Sequence, residues 1–142
     1  MKKTLFIILI FVSIGALALA ACGGGTTTSP QSATVPAEYA GKTNPKAGDA
    51  AATAAGKDLY ASNCASCHGA KGMGDGPAAA ALDPKPKPLA TEVASLKDDY
   101  LFWRISEGGA FAPFNSAMPA WKASLTEEQI WQVIAFLHTL SK

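Results

Sequence analysis

The sequence predicts an all-α fold over residues 50–142, three to five helices joined by long loops. Three observations predict it. Residues 50–63, 97–107 and 126–140 place apolar side chains at helical spacing and carry residues that start or stop helices. The stretches 69–88 and 110–121 are rich in glycine and proline and read as loops. No segment alternates apolar and polar residues over a strand's length, which disfavours a sheet.

Ahead of this domain, Lys2 and Lys3 precede an uncharged apolar run over residues 5–21, the pattern of an export signal. Leu19, Ala20, Ala21 and Cys22 resemble a bacterial lipobox, in which the cysteine is lipidated and becomes the new N-terminus. The alternative is an uncleaved anchor, because a run of this length is at the lower edge of what spans a bilayer. Both readings put the domain outside the cytoplasm, on the periplasmic or cell-surface side, and anchored to a membrane. The sequence thus divides into a signal peptide at 1–21, a lipid-anchored flexible tether at 22–49 and a domain at 50–142. Gly, Thr, Ser, Pro and Ala dominate residues 23–37, with no apolar period to bury. Residues 36–45, with Glu38, Tyr39 and Lys42, are less bland and predict packing on the domain or on a partner. The formal charge is +1, and about −1 without Lys2 and Lys3. A nucleic-acid backbone is therefore not an expected partner.

Asp49 predicts a cap for the first helix, and Gly56 and Tyr60 lie one turn apart on it. Glycine inside a helix costs about 1 kcal/mol against alanine, so Gly56 points to a close crossing with another helix. Asp98 and Asp99 suit the start of the second segment and Gly108-Gly109 its end, with Leu101, Phe102 and Ile105 facing inward. In the last segment Thr126 and Gln129 form a capping box and Leu125 and Ile130 a hydrophobic staple. Ile130, Val133, Ile134, Leu137 and Leu140 make an apolar stripe. Trp131 and Phe136 widen it, which suits a helix packed on protein and on a large ligand.

Cys64-Ala65-Ser66-Cys67-His68 is a C-x-x-C-H motif, the pattern of covalent haem c attachment. Two thiols add across the two vinyl groups of one porphyrin edge, and the adjacent histidine reaches the iron. A redox C-x-x-C would want a βαβ setting, a structural zinc site would want four ligands, and a plain disulfide would not require His68. Candidates for a sixth iron ligand are Met73, Met118 and His138. Met73 follows His68 by five residues, whose extended reach of about 17 Å barely rounds a porphyrin. Met118 has ample chain and sits before Pro119, which fixes the local backbone, so Met118 is the expected ligand. His138, near the end of the last helix, reads as a partly exposed side chain.

The order helix, C-x-x-C-H, glycine-rich loop, helix, Met-Pro loop and amphipathic C-terminal helix resembles the class I cytochrome c family over residues 50–142. The resemblance implies the small cytochrome c fold around one covalently bound haem c. It implies that Gly56 and Tyr60 cross the C-terminal helix near Val133 and Phe136. It implies a proline carbonyl accepting the second imidazole proton of His68, with Pro77 the best match and Pro84 the reserve. Trp103, Arg104 and Trp121 resemble residues near the haem propionates. The stretch 83–88 departs from the family's compact pattern, which predicts a differently shaped lower loop.

These residues predict a one-electron carrier with His68 and Met118 as axial ligands, not an enzyme, with no small-molecule substrate. Its expected partners are redox proteins or a membrane respiratory complex, met at a haem edge that Lys71, Lys85, Lys87 and Lys122 could ring. Two alternatives remain: a fixed subunit of a membrane oxidase, reductase or quinol-oxidising complex, and, with Met118 unbound, a five-coordinate peroxidase or sensor.

Overall fold

A computed structural model describes residues 33–141. The export-signal run and Cys22 lie outside these residues. Among the described residues five α-helices run in the order α1 (Ala50–Asn63), α2 (Ala65–His68), α3 (Leu89–Glu92), α4 (Asp98–Glu107) and α5 (Glu127–Leu140). Two 3₁₀ turns, Ala79–Ala81 and Val93–Ser95, complete the secondary structure of the described residues. The described residues contain no strand, as an all-α fold requires. None of their helices is long and apolar enough to cross a membrane.

The helix starts follow local chemistry. The Asp49 carboxylate accepts from the backbone N–H groups of Ala51 and Ala52 at 2.9 and 3.0 Å and so caps α1. Thr126 Oγ1 accepts from Gln129 N at 3.2 Å and Gln129 Oε1 from Thr126 N at 2.9 Å, the reciprocal box expected for α5. Gly108 ends α4 at φ 71°, a conformation glycine adopts without strain. The turns Leu89–Glu92 and Val93–Ser95 fall in a stretch to which the periodicity assigned no helix, because elements this short carry no readable period.

α1 and α5 form the central crossing. A Cβ at Gly56 would stand 1.9 Å from the carbonyl oxygen of Gln132, so only glycine admits the contact. One turn on, the Tyr60 ring meets Phe136 at a centroid distance of 5.2 Å. Around this crossing gather Val93, Leu101, Phe102, Ile105, Ile130, Trp131, Val133, Ile134 and Leu137, all buried.

Residues 36–46 lie against the outside of α4 and α5 as a strap. Gly41 N and Asn44 N donate to the carboxylates of Asp99 and Asp98, each at 2.9 Å. Asn44, itself buried, donates through Nδ2 to Trp131 O at 3.0 Å. The Tyr39 ring packs on Phe102 at 6.1 Å and its hydroxyl donates to Glu107. Lys46 pairs with Glu128 at 2.9 Å. Of the two positions open to this segment, on the domain or on a partner, it takes the first. Packing therefore begins ahead of Ala50, for the physical reason that polar strap contacts carry no periodic signature.

Candidate haem site

Cys64 closes α1, its N–H donating to Tyr60 O at 2.9 Å, and the chain turns straight into α2. Cys67 N and His68 N both donate to Cys64 O, at 3.1 and 2.9 Å. Residues three and four apart on a helical turn share a face, so this backbone presents Cys64, Cys67 and His68 in one direction. The chain then folds back beneath the motif: Gly74 N donates to His68 O at 2.9 Å, Gly76 N to Cys67 O at 3.2 Å and Ala78 N to Ser66 O at 2.9 Å. A Cβ at Gly76 would stand 2.3 Å from Ser66 O, which is why the return strand of this loop needs glycine there. Tyr60 Oη donates to Gly69 O at 2.8 Å and ties the loop to α1.

The motif opens onto a cavity of about 380 Å³. Cys64, Cys67 and His68 line it together with Met118, Arg104 and Trp121. Tyr60, Leu101, Ile105, Val133 and Leu137 form its apolar wall and are shared with the core. Pro84 lines it too. Pro77 is exposed and lines none of it, and Trp103 is buried behind it, packed on Phe114 at 5.6 Å. Of the other sixth-ligand candidates, Met73 is 49% exposed and off the cavity. His138 is off it as well, with Nε2 2.8 Å from an Asp98 oxygen. Lys85 and Lys87 reach the cavity's edge, whereas Lys71 and Lys122 do not line it.

Met118 is set in place from the end of α4. Gly109 N donates to Met118 O at 2.9 Å, Ser116 N to Gly109 O at 2.7 Å, Trp121 N to Ile105 O at 3.1 Å and Lys122 N to Ser106 O at 3.2 Å. A Cβ at Gly108 would lie 2.5 Å from the carbonyl carbon of Pro119, so the same glycine that stops the helix admits the Met118 loop.

The electrostatics suit a large, uncharged-walled ligand with a metal. Burial, and next the neighbouring Cys67, push the Cys64 thiol up to about 11, which keeps it protonated at neutral pH. Burial holds the His68 imidazole below its ordinary value, and the backbone of Lys87 works against that shift. His68 Nδ1 is buried with no hydrogen-bond partner among the described residues. A buried neutral imidazole is a metal donor, and its second nitrogen is the one a nearby carbonyl orients. Pro84 lines the cavity and Pro77 does not, while the main chain of Lys87 is the neighbour that raises the imidazole's pKa. No spacing rule marks such a residue, since every backbone has a carbonyl. Burial lowers the pKa of Arg104, and Tyr100 partly offsets this. Its guanidinium lies 3.3 Å from the Phe114 ring centroid and donates to Gly108 O, and none of the ion pairs among the described residues includes it. A half-buried cation on the cavity wall is placed for a ligand carboxylate. Tyr100, which also lines the cavity, is a wall residue that periodicity placed on the helix without assigning it to the site. Two thiols and an imidazole on one face, a thioether in the same cavity, an apolar wall and a half-buried cation fit a haem.

Comparison with known proteins gives the same direction. The family described as cytochrome c oxidase, cbb3-type, subunit III matches residues 51–137. The cbb3-type cytochrome c oxidase subunit CcoP of Azospirillum brasilense is 33% identical over 106 residues, 73% of this chain and 34% of that protein. The chain thus spans about a third of that relative's length. Among solved structures, a chain of the Kuenenia stuttgartiensis reducing HAO-like protein complex superposes with a TM-score of 0.53 at 24% identity, over 66% of this chain and 45% of the other. At that identity the likeness speaks for the fold. With the motif and cavity already described, the chain belongs to the family of cytochrome c oxidase, cbb3-type, subunit III, and is a helical c-type cytochrome whose cofactor is covalently bound haem c.

Proposed function

We propose that Cys64 and Cys67 hold the haem through thioethers, that His68 and Met118 are its axial ligands, and that the chain relays single electrons on the outer side of a membrane. The observation that carries this reading is the meeting of Cys64, Cys67, His68 and Met118 on one cavity from two separate parts of the chain. When bound, the haem supplies a one-electron iron couple. The residues do the rest. His68, held neutral by burial, offers a nitrogen lone pair, and Met118 offers a soft thioether that favours the reduced state. Leu101, Ile105, Val133 and Leu137 keep water from the site. Arg104 faces the cavity with a charge suited to a propionate. With His68 and Met118 both holding the haem, no place would be left on the iron for a substrate, which is the case against the peroxidase or sensor alternative.

The printed name of the Azospirillum relative favours a second reading within the same chemistry, in which this chain is a fixed subunit of a membrane oxidase or related respiratory complex. Co-purification of membrane subunits in fixed stoichiometry under mild detergent supports it, and a lone chain in the detergent extract supports the free carrier. Attachment to the membrane is assigned to a lipid on Cys22, and Cys22→Ser should move the protein from the membrane fraction to the soluble one. The central test is optical. Full-length protein from a host able to mature c-type cytochromes should keep its colour through acid-acetone extraction, and Met118→Ala should change the ferric spectrum and lower the potential. Colourless protein, or a Met118→Ala spectrum identical to the parent's, overturns the assignment.

A further inference from the structure

Glu107 occupies the last turn of α4, where the helix dipole disfavours a carboxylate. Two partners from different parts of the chain meet it there. Lys122 Nζ lies 2.8 Å from each of its oxygens, and the Tyr39 hydroxyl donates to Oε1. Lys122 follows Met118 by four residues and is joined through its own N–H to Ser106 O at 3.2 Å. The three side chains therefore link the strap, the end of α4 and the far end of the Met118 loop. The strap is fixed independently of Tyr39: Gly41, Asn44 and Lys46 bind Asp99, Asp98, Trp131 and Glu128. Its hydroxyl is thus presented from a firm base, with the ring seated on Phe102.

We propose that Tyr39 is a positioning residue for Met118, acting through Glu107 and Lys122 to hold the loop against the end of α4. The inference rests on the reading of Met118 as an axial ligand and deepens it. Tyr39 does not line the cavity, so its effect is on how tightly the loop keeps its place. A ligand on a looser loop yields more readily to a competitor, because displacement no longer has to break the network.

The experiment uses full-length holoprotein and added imidazole, which competes for the methionine position. Binding to the ferric form is followed by loss of the thioether-to-iron absorption band, alongside the reduction potential. Tyr39→Phe keeps the ring on Phe102 and removes the hydroxyl. It should bind imidazole about fivefold more tightly than the parent, the lower end of couplings between separate sites, with a lower potential. Lys46→Ala, which breaks the strap's pair with Glu128, should stay within about twofold of the parent. Glu107→Gln provides the second variant. It removes the charge that Lys122 and Tyr39 share, so tighter imidazole binding there, alongside that in Tyr39→Phe, supports the proposal. Imidazole affinity unchanged in either Tyr39→Phe or Glu107→Gln, or Lys46→Ala shifting as much as Tyr39→Phe, overturns the proposal and leaves the axial assignment standing. A parent protein without the thioether band overturns the axial assignment itself.

Discussion

Tyr39 and Glu107 share one hydrogen bond, and the bond moves their two acidities in opposite directions. Burial first, and then Glu107, raise the Tyr39 phenol from 10.0 to about 12. The hydrogen bond from Lys122 first, and then that from Tyr39, lower the Glu107 carboxyl below its ordinary 4.5. A raised pKa in the folded state contributes stability that is complete below the unfolded value and lost as pH rises through the folded one. Tyr39 therefore supports the fold fully below about pH 10 and gives up that support between about 10 and 12. Glu107 behaves oppositely: its contribution is present above its ordinary value and fades as pH falls through the lowered one. Urea unfolding of the parent and of Tyr39→Phe across pH 8 to 12 should show the difference in their stabilities shrinking through the upper part of that range. A constant difference would mean that the hydroxyl titrates as it does in the unfolded chain. At this scale the sequence was legible where function is local. Cys64, Cys67 and His68 are singled out by spacing alone and line one cavity, whereas the contacts of the Lys87 backbone and the Tyr39 hydroxyl cross folds of the chain that no local pattern records.

Helices legible in the sequence are those with caps and stripes. Asp49, the Thr126–Gln129 box and Gly108 each carry a physical signal within a few residues of the boundary they set. The short turns at Ala79–Ala81, Leu89–Glu92 and Val93–Ser95 are too brief to show one, and the strap is held by contacts 54 to 87 residues apart in sequence. Gly56 is the case in which an element-level reading can be tested most directly. Alanine would bring about 1 kcal/mol of helix propensity. Its Cβ would meet the Gln132 carbonyl oxygen at 1.9 Å and the carbonyl carbon at 2.4 Å, and backbone cannot step aside as a side chain can. Overpacking costs about 1–3 kcal/mol, and a clash with main chain belongs at the top of that range. The clash wins by about 2 kcal/mol. Thermal melts of the holoprotein should place Gly56→Ala about 10 °C below the parent. An unchanged midpoint would show that α1 and α5 part at no cost, contrary to the tight crossing.

At the scale of the whole molecule, site and core are one structure. Tyr60, Leu101, Ile105, Val133 and Leu137 each pack into the hydrophobic cluster and also line the cavity, so the innermost side chains have protein on one side and ligand on the other. Without a ligand, a cavity of about 380 Å³ bounded by these side chains either collapses or admits water. Collapse is opposed by the backbone contacts that fix the Met118 loop and the motif loop, and water gains little from an apolar wall. The cofactor is therefore a structural member, and attachment and folding should be lost together. Cys64→Ala/Cys67→Ala, purified without haem, should give a near-UV dichroism spectrum lacking fixed aromatic signals from Tyr60, Trp103 and Trp131, with reduced helical ellipticity in the far UV. A native-like near-UV spectrum in that variant would show that the apolar cluster sustains the fold alone, and the cavity would then be a feature the protein tolerates rather than one its stability depends on filling.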